Sequence, residues 1–153
     1  MMMNMPDTSG TDFKPVCDIM RWLENMKIKN YIICDNGSVI VNGNVNICHR
    51  YLTEIPVQFR TVYGDFNCSG NKLTSLKGSP HEVEGGFNCS FNLLSSLEYS
   101  PYEVNGSFFC YDNELITLDG APTSVGGTFL CMNNHLKSLD GMPKNIGGEL
   151  RWK

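Results

Sequence analysis

The sequence predicts a mostly β protein, a right-handed parallel-strand solenoid preceded by a helix and a hairpin that cap its first coil. Three observations lead there. A single interval of 21 residues organises the chain from about residue 39 onward. Within it, apolar residues recur at spacings of two, which puts them on one side of an extended segment. Glycine, asparagine and proline also return at fixed places, and these are the residues that turn a chain.

Taken in order, the columns of the repeat define the core. A β-branched residue recurs at Val41, Val62, Val83, Val104, Val125 and Ile146, and a glycine follows two later at 43, 64, 85, 106, 127 and 148. Two further on stand Val45, Phe66, Phe87, Phe108, Phe129 and Leu150, and then Ile47, Cys68, Cys89, Cys110, Cys131 and Trp152. Asparagine recurs at 71, 92, 113 and 134 beside a leucine column that runs from Leu52 to Leu136. Ile55, Leu76, Leu97, Leu118 and Leu139 complete the set, and Pro80, Pro101, Pro122 and Pro143 close the later coils. The five apolar columns hold 28 inward positions, a face that one coil cannot bury and that stacked neighbours bury for each other. The asparagine is placed to satisfy backbone groups where the chain leaves the strand, and the glycine to allow a bend or a close backbone approach.

The run Phe87-x-Cys89-x-x-Asn92-x-Leu94-x-x-Leu97 resembles the strand and asparagine ladder of leucine-rich repeats. The whole unit is similar to a 21-residue variety found in phage-encoded and bacterial proteins, mostly of unassigned function, and Asp35 to Ile47 resembles the start of such arrays. The resemblance implies a leucine-rich-repeat-like solenoid and a phage-encoded binding protein. Bacterial ligase effectors carry a similar repeat followed by a large catalytic domain, and no such domain is expected here.

Ahead of the repeat, residues 1–10 are expected to form a flexible N-terminus, and residues 11–153 a single domain in which 11–38 cap about six coils spanning 39–153. Val16, Ile19, Met20, Leu23 and Met26 fall at helical spacing, which predicts an amphipathic helix over about 14–27, with Pro15 in its first turn and Thr11 or Asp12 as a cap. Its Trp22 is read as part of the cap, a contact to another molecule being the alternative. Tyr31 to Cys34 and Val39 to Val41 read as two strands joined at Asn36-Gly37.

Composition excludes several functions. A net charge of -4 with 12 scattered lysines and arginines lacks the basic stripe that nucleic acid requires. No apolar run approaches the ~20 residues of a membrane span. The first residues have neither the cationic start nor the apolar core of a signal peptide, so a cytoplasmic location is expected, in a host cell if the chain is phage-encoded. Seven cysteines in such a compartment read as thiols, four of them as core residues. His49, His81 and His135 occupy different repeat positions, and a line of cysteines does not converge as zinc ligands must. Asp119 and Asp140 precede glycines and read as turn residues, and no glycine-rich loop leads into a lysine and a helix. No metal, cofactor or enzymatic activity is expected.

What remains is the outward set. Between the inward columns lie Asn46, Asn67, Asn88, Phe109, Leu130 and Arg151, and then Cys48, Ser69, Ser90, Tyr111, Met132 and Lys153. Phe109, Tyr111, Leu130 and Met132 form a two-by-two apolar patch that Phe91, with Tyr51, Leu93 and His135, extends along one edge. The expected function is a non-catalytic protein-binding module using Phe109, Tyr111, Leu130, Met132 and Phe91; cross-strand packing alone is the plainer explanation of the same residues. A second expectation is a self-assembling structural protein whose last coil, through Leu150 and Trp152, pairs with another copy as a homodimer.

Overall fold

The structure, a computed structural model, describes residues 14–153. The flexible N-terminus expected at residues 1–10 and the capping roles of Thr11 and Asp12 lie outside the described residues. The protein is mostly β, a solenoid of stacked parallel strands in which about five turns join six rungs, with one short helix before it.

Helix α1 runs over Val16–Asn25, with Pro15 at its N-cap, and is shorter than the expected 14–27. It buries Ile19 and Leu23 and half-buries Trp22 and Met26, while Val16 and Met20 stay exposed, so only part of the expected stripe faces the core. Trp22 meets Phe59 edge-on at 6.3 Å, which places it in the cap rather than on a free surface.

Strands β1 (Tyr31–Ile33) and β2 (Val39–Val41) form the expected antiparallel hairpin, with Tyr31 opposite Val41 and Ile33 opposite Val39. The Gly37 amide donates to the Cys34 carbonyl at 2.8 Å, and Gly37 takes a φ of 82°. That left-handed conformation is why glycine follows Asn36.

From here each coil contributes two short strands rather than the one extended segment the spacing suggests. β2, β4 (Phe59–Val62), β6 (Glu82–Val83), β8 (Glu103–Val104), β10 (Ser124–Val125) and β12 (Asn145–Ile146) pair in parallel, and β1 extends them to a seven-stranded sheet. β3 (Val45–Asn46), β5 (Phe66–Asn67), β7 (Phe87–Asn88), β9 (Phe108–Phe109), β11 (Phe129–Leu130) and β13 (Leu150–Arg151) make a second sheet of six. The glycine column is the corner between them. A Cβ on Gly85 would lie 2.8 Å from the backbone of Gly64 one coil earlier, so the corner stacks backbone on backbone and admits no side chain.

Of the 28 inward positions, 22 are buried, and Leu52, Leu136, Leu139, Ile146, Leu150 and Trp152 are partly buried against them. Phe66, Phe87, Phe108 and Phe129 stack face to face at 5.2–5.4 Å. The 21-residue interval imposes this spacing, because each ring sits on the same strand position one coil apart. The cysteine column lies just past the strands. Burial pushes the Cys68 thiol up to about 12 and Cys131 up to about 11, and raises Cys89 and Cys110 well above the ordinary value of 9.0. Cys89 and Cys110 donate from Sγ to the carbonyls of Phe109 and Leu130 at 3.5 Å, a bond only the protonated thiol makes.

Each ladder asparagine ties two coils together. The Asn92 Nδ2 group donates to the carbonyls of Cys68 at 3.0 Å and Cys89 at 3.1 Å, and its Oδ1 accepts from the Leu73 amide at 3.0 Å. Asn71, Asn113 and Asn134 repeat the pattern. Backbone groups that leave the strand are thereby satisfied without water.

Candidate protein-binding face

The six-stranded sheet decides which residues reach the surface. Side chains alternate across a strand, so burying Phe108 and Phe129 turns Phe109 and Leu130 outward. Parallel pairing sets Phe109 directly beside Leu130 on β9 and β11, with Asn88 on one flank and Arg151 on the other. Tyr111 follows two residues after Phe109, and the two rings lie 6.2 Å apart. Phe91, from the turn one coil earlier, meets Tyr111 edge-on at 5.4 Å and 83°. The structure thus joins Phe91, Phe109 and Tyr111 through their rings and Leu130 through the sheet. Met132, one coil beyond Tyr111 in the same column, is half-buried like Phe109, Tyr111 and Leu130, whereas Phe91 is 53 % exposed. Leu93 and Tyr51 are exposed along the same turns. His135 lies on that edge too and pairs with Glu114 at 2.6 Å.

The polar half of the face differs from the expected open surface. Ser69 and Ser90 are buried, Ser90 completely, and the Ser90 hydroxyl has no hydrogen-bond partner among the described residues. Asparagines shape this half locally: Asn46, Asn67 and Asn88 each accept, through Oδ1, from the amide two residues on, at Cys48, Ser69 and Ser90, over 3.0–3.2 Å. Where Phe109 and Leu130 take the asparagine's place that bond is absent, and the amides of Tyr111 and Met132 have no acceptor among the described residues.

Phe91 gives up stability in another way. Its φ of 56° is demanded by the coil, since His49, Gly70, Asp112 and Asn133 share that column at φ 53–67°. Glycine, asparagine and aspartate enter the left-handed region readily, but a bulky phenylalanine there is strained by about 1–2 kcal/mol. The column was available to sequence reasoning, because three of its five members are Gly, Asp and Asn. So was the alternation of asparagine with Phe109 and Leu130.

A shallow depression of about 440 Å³ adjoins the apolar cluster, lined by Asp65, Asn67, Asn88, Ser107 and Phe109 with the backbone of the nearby glycines. Sequence reasoning had not singled out Asp65 or Ser107. Leu150 and Trp152, the residues assigned to self-association, are partly buried against the core. The Lys153 ammonium lies 4.5 Å from the centre of the Trp152 ring, and Arg151 pairs with Glu149 at 2.8 Å. Among the described residues no three His, Cys, Asp or Glu side chains gather as a metal site would need, and no helix is long and apolar enough to cross a membrane. The fold and this face define a repeat scaffold with one half-buried apolar cluster on an otherwise polar sheet. No protein-family model, curated protein or solved structure matches the chain.

Proposed function

We propose that the protein is a non-catalytic binding module that docks a protein partner on the outer face of its six-stranded sheet, through Phe91, Phe109, Tyr111, Leu130 and Met132. One observation carries this reading: the fold gives up hydrogen bonds at the place where the apolar side chains appear. Three coils use an asparagine to hold the amide two residues on, and the two coils with Phe109 and Leu130 do not. A bond of that kind contributes about 0.5–1.5 kcal/mol. Packing preference alone does not account for the exchange, because the exposed ring of Phe91 adds backbone strain to the same cluster. A partner that covers the cluster removes apolar surface from water and brings carbonyl acceptors to the open amides. The resemblance of the repeat unit to phage-encoded arrays supports a partner in a bacterial host or a phage particle and a location in the host cytoplasm.

The test is affinity capture with the wild-type chain and with a Phe109→Ser, Leu130→Ser variant whose fold is checked by circular dichroism. A partner retained by the first and lost by the folded variant supports the reading. A partner captured equally by both overturns it. Self-association through Leu150 and Trp152 is the competing proposal, and sedimentation separates the two: a monomer with and without Trp152→Lys removes it.

A further inference from the structure

A second ladder runs along the outside of the same sheet, one residue before each strand. The column reads Asn44, Asp65, Gly86, Ser107, Thr128 and Glu149. Each side chain accepts from the amide of the next member one coil on: Asn44 Oδ1 from Asp65 at 2.8 Å, Asp65 Oδ1 from Gly86 at 2.7 Å, Ser107 Oγ from Thr128 at 3.0 Å, and Thr128 Oγ1 from Glu149 at 3.4 Å. Gly86 has no side chain, so the ladder breaks there. The Ser107 amide has no acceptor among the described residues.

The break opens into the depression beside Phe109. Its donors outnumber its acceptors. Besides the Ser107 amide it is lined by Asn67 and Asn88, whose Oδ1 atoms are engaged with Ser69 and Ser90 and whose Nδ2 groups have no acceptor among the described residues. Among the described residues the one charge on its wall is the Asp65 carboxylate, which accepts from Gly86 through one oxygen and has no partner for the other. A carboxylate or phosphate entering here meets the like charge of the exposed Asp65 carboxylate. A primary amide meets none, since its oxygen accepts from Ser107 and the asparagine amides while its NH2 donates to the free oxygen of Asp65.

We infer that the break at Gly86 is a subsite for a neutral amide, the side chain of an asparagine or glutamine on the partner that docks at Phe109. The inference rests on the proposed binding face, because Phe109 is the wall common to both. It goes further in assigning chemistry and register: the partner's amide lies one strand position before the apolar side chain that covers Phe109 and Leu130.

Propionamide and sodium propionate, matched for ionic strength, serve as probes of the full chain in amide-resolved NMR. Propionamide should shift the Ser107 resonance saturably, and propionate should not. Gly86→Ser supplies the missing oxygen on a Cβ that would stand 3.2 Å from the Ser107 carbonyl oxygen and 3.7 Å from the Ser107 nitrogen, and should weaken the propionamide response roughly tenfold. Asp65→Asn keeps an oxygen for the Gly86 amide and removes the charge, so in that variant propionate should move Ser107 as well. If Gly86→Ser does not fold, this exchange of specificity carries the test. A Ser107 resonance unmoved by propionamide, or moved equally in Gly86→Ser, overturns the subsite. Both outcomes are independent of whether Phe109→Ser, Leu130→Ser loses the partner.

Discussion

The two sheets share one core and differ on their outer faces. On the seven-stranded sheet, parallel pairing sets Glu82 directly beside Glu103, followed by Ser124 and Asn145. Like charges one strand apart repel, and the same outward row begins with apolar Ile32 and Ile40 beside Thr61. On the six-stranded sheet the equivalent row turns from Asn67 and Asn88 to Phe109 and Leu130, giving up hydrogen bonds for apolar contact. Neither choice is dictated by the buried side, since Val83 and Val104 lie behind one row and Phe87 and Phe108 behind the other, all equally buried. Inward columns specify the solenoid, and outward rows are free to specify what it meets.

The largest expected effect comes from the core that both faces share. Burial raises the cysteine thiols, so the folded protein keeps protons that the unfolded chain loses. Their contribution is full below the ordinary 9.0 and declines as pH rises toward about 11 for Cys131 and about 12 for Cys68. Urea denaturation should show stability falling steadily above pH 9, and Cys89→Ala with Cys110→Ala should flatten the fall. An equally steep decline in the double variant would remove the thiols as its cause.

Next in size is the contrast between neighbours on β9. Phe108→Ser should cost about 3–5 kcal/mol, and Phe109→Ser less than about 1 kcal/mol. Equilibrium unfolding of both variants checks this, and the reverse order would mean that inner and outer faces are exchanged.

Backbone strain away from the binding face ranks third. Tyr99 has a φ of 70° in a column where the later coils carry Gly78, Gly120 and Gly141 at 87–97°. Tyr99→Gly should therefore raise stability by about 0.5–1 kcal/mol, the relief of strain being partly offset by glycine's greater freedom when unfolded. A loss in the melting experiment would show that Tyr99 makes contacts that outweigh its strain. The smallest effect is electrostatic. Glu103→Lys should add about 0.2–1 kcal/mol at low salt by ending the repulsion from Glu82, and the gain should shrink as salt rises. A gain independent of salt would assign it to packing instead.

Much of this architecture was legible because stacking converts a linear interval into a lateral neighbour. Once Phe66, Phe87, Phe108 and Phe129 were aligned at 21 residues, their stacking and the outward direction of Phe109 followed from alternation. The corner at Gly85 was legible only as a mark of close approach, because spacing by two continues across it and conceals the change from one sheet to the other. Burial of Ser69 and Ser90 was hidden for a different reason: Asn67 and Asn88 bond back to them from two residues earlier, and such cover depends on three-dimensional crowding rather than on parity along the strand. The Gly86 break was present in the column as a lone residue without a side chain, and it acquired meaning only when the other members were seen to bond to the next coil.

The asparagine ladder has a consequence for how such a chain can change length. The Nδ2 group of each ladder asparagine, at 71, 92, 113 and 134, spans its own coil and the one before, at carbonyls 3 and 24 residues back. Duplicating or removing one whole unit in the middle returns each asparagine to an equivalent pair of carbonyls, and every phenylalanine to another phenylalanine. An insertion of a single residue between two ladder asparagines must instead be looped out at a turn, or it leaves an amide, two carbonyls and a ring without their counterparts. Unequal recombination in whole units is thus mechanically tolerated while small frame-preserving insertions within a unit are resisted, so the number of rungs can drift under selection more readily than the length of any one of them.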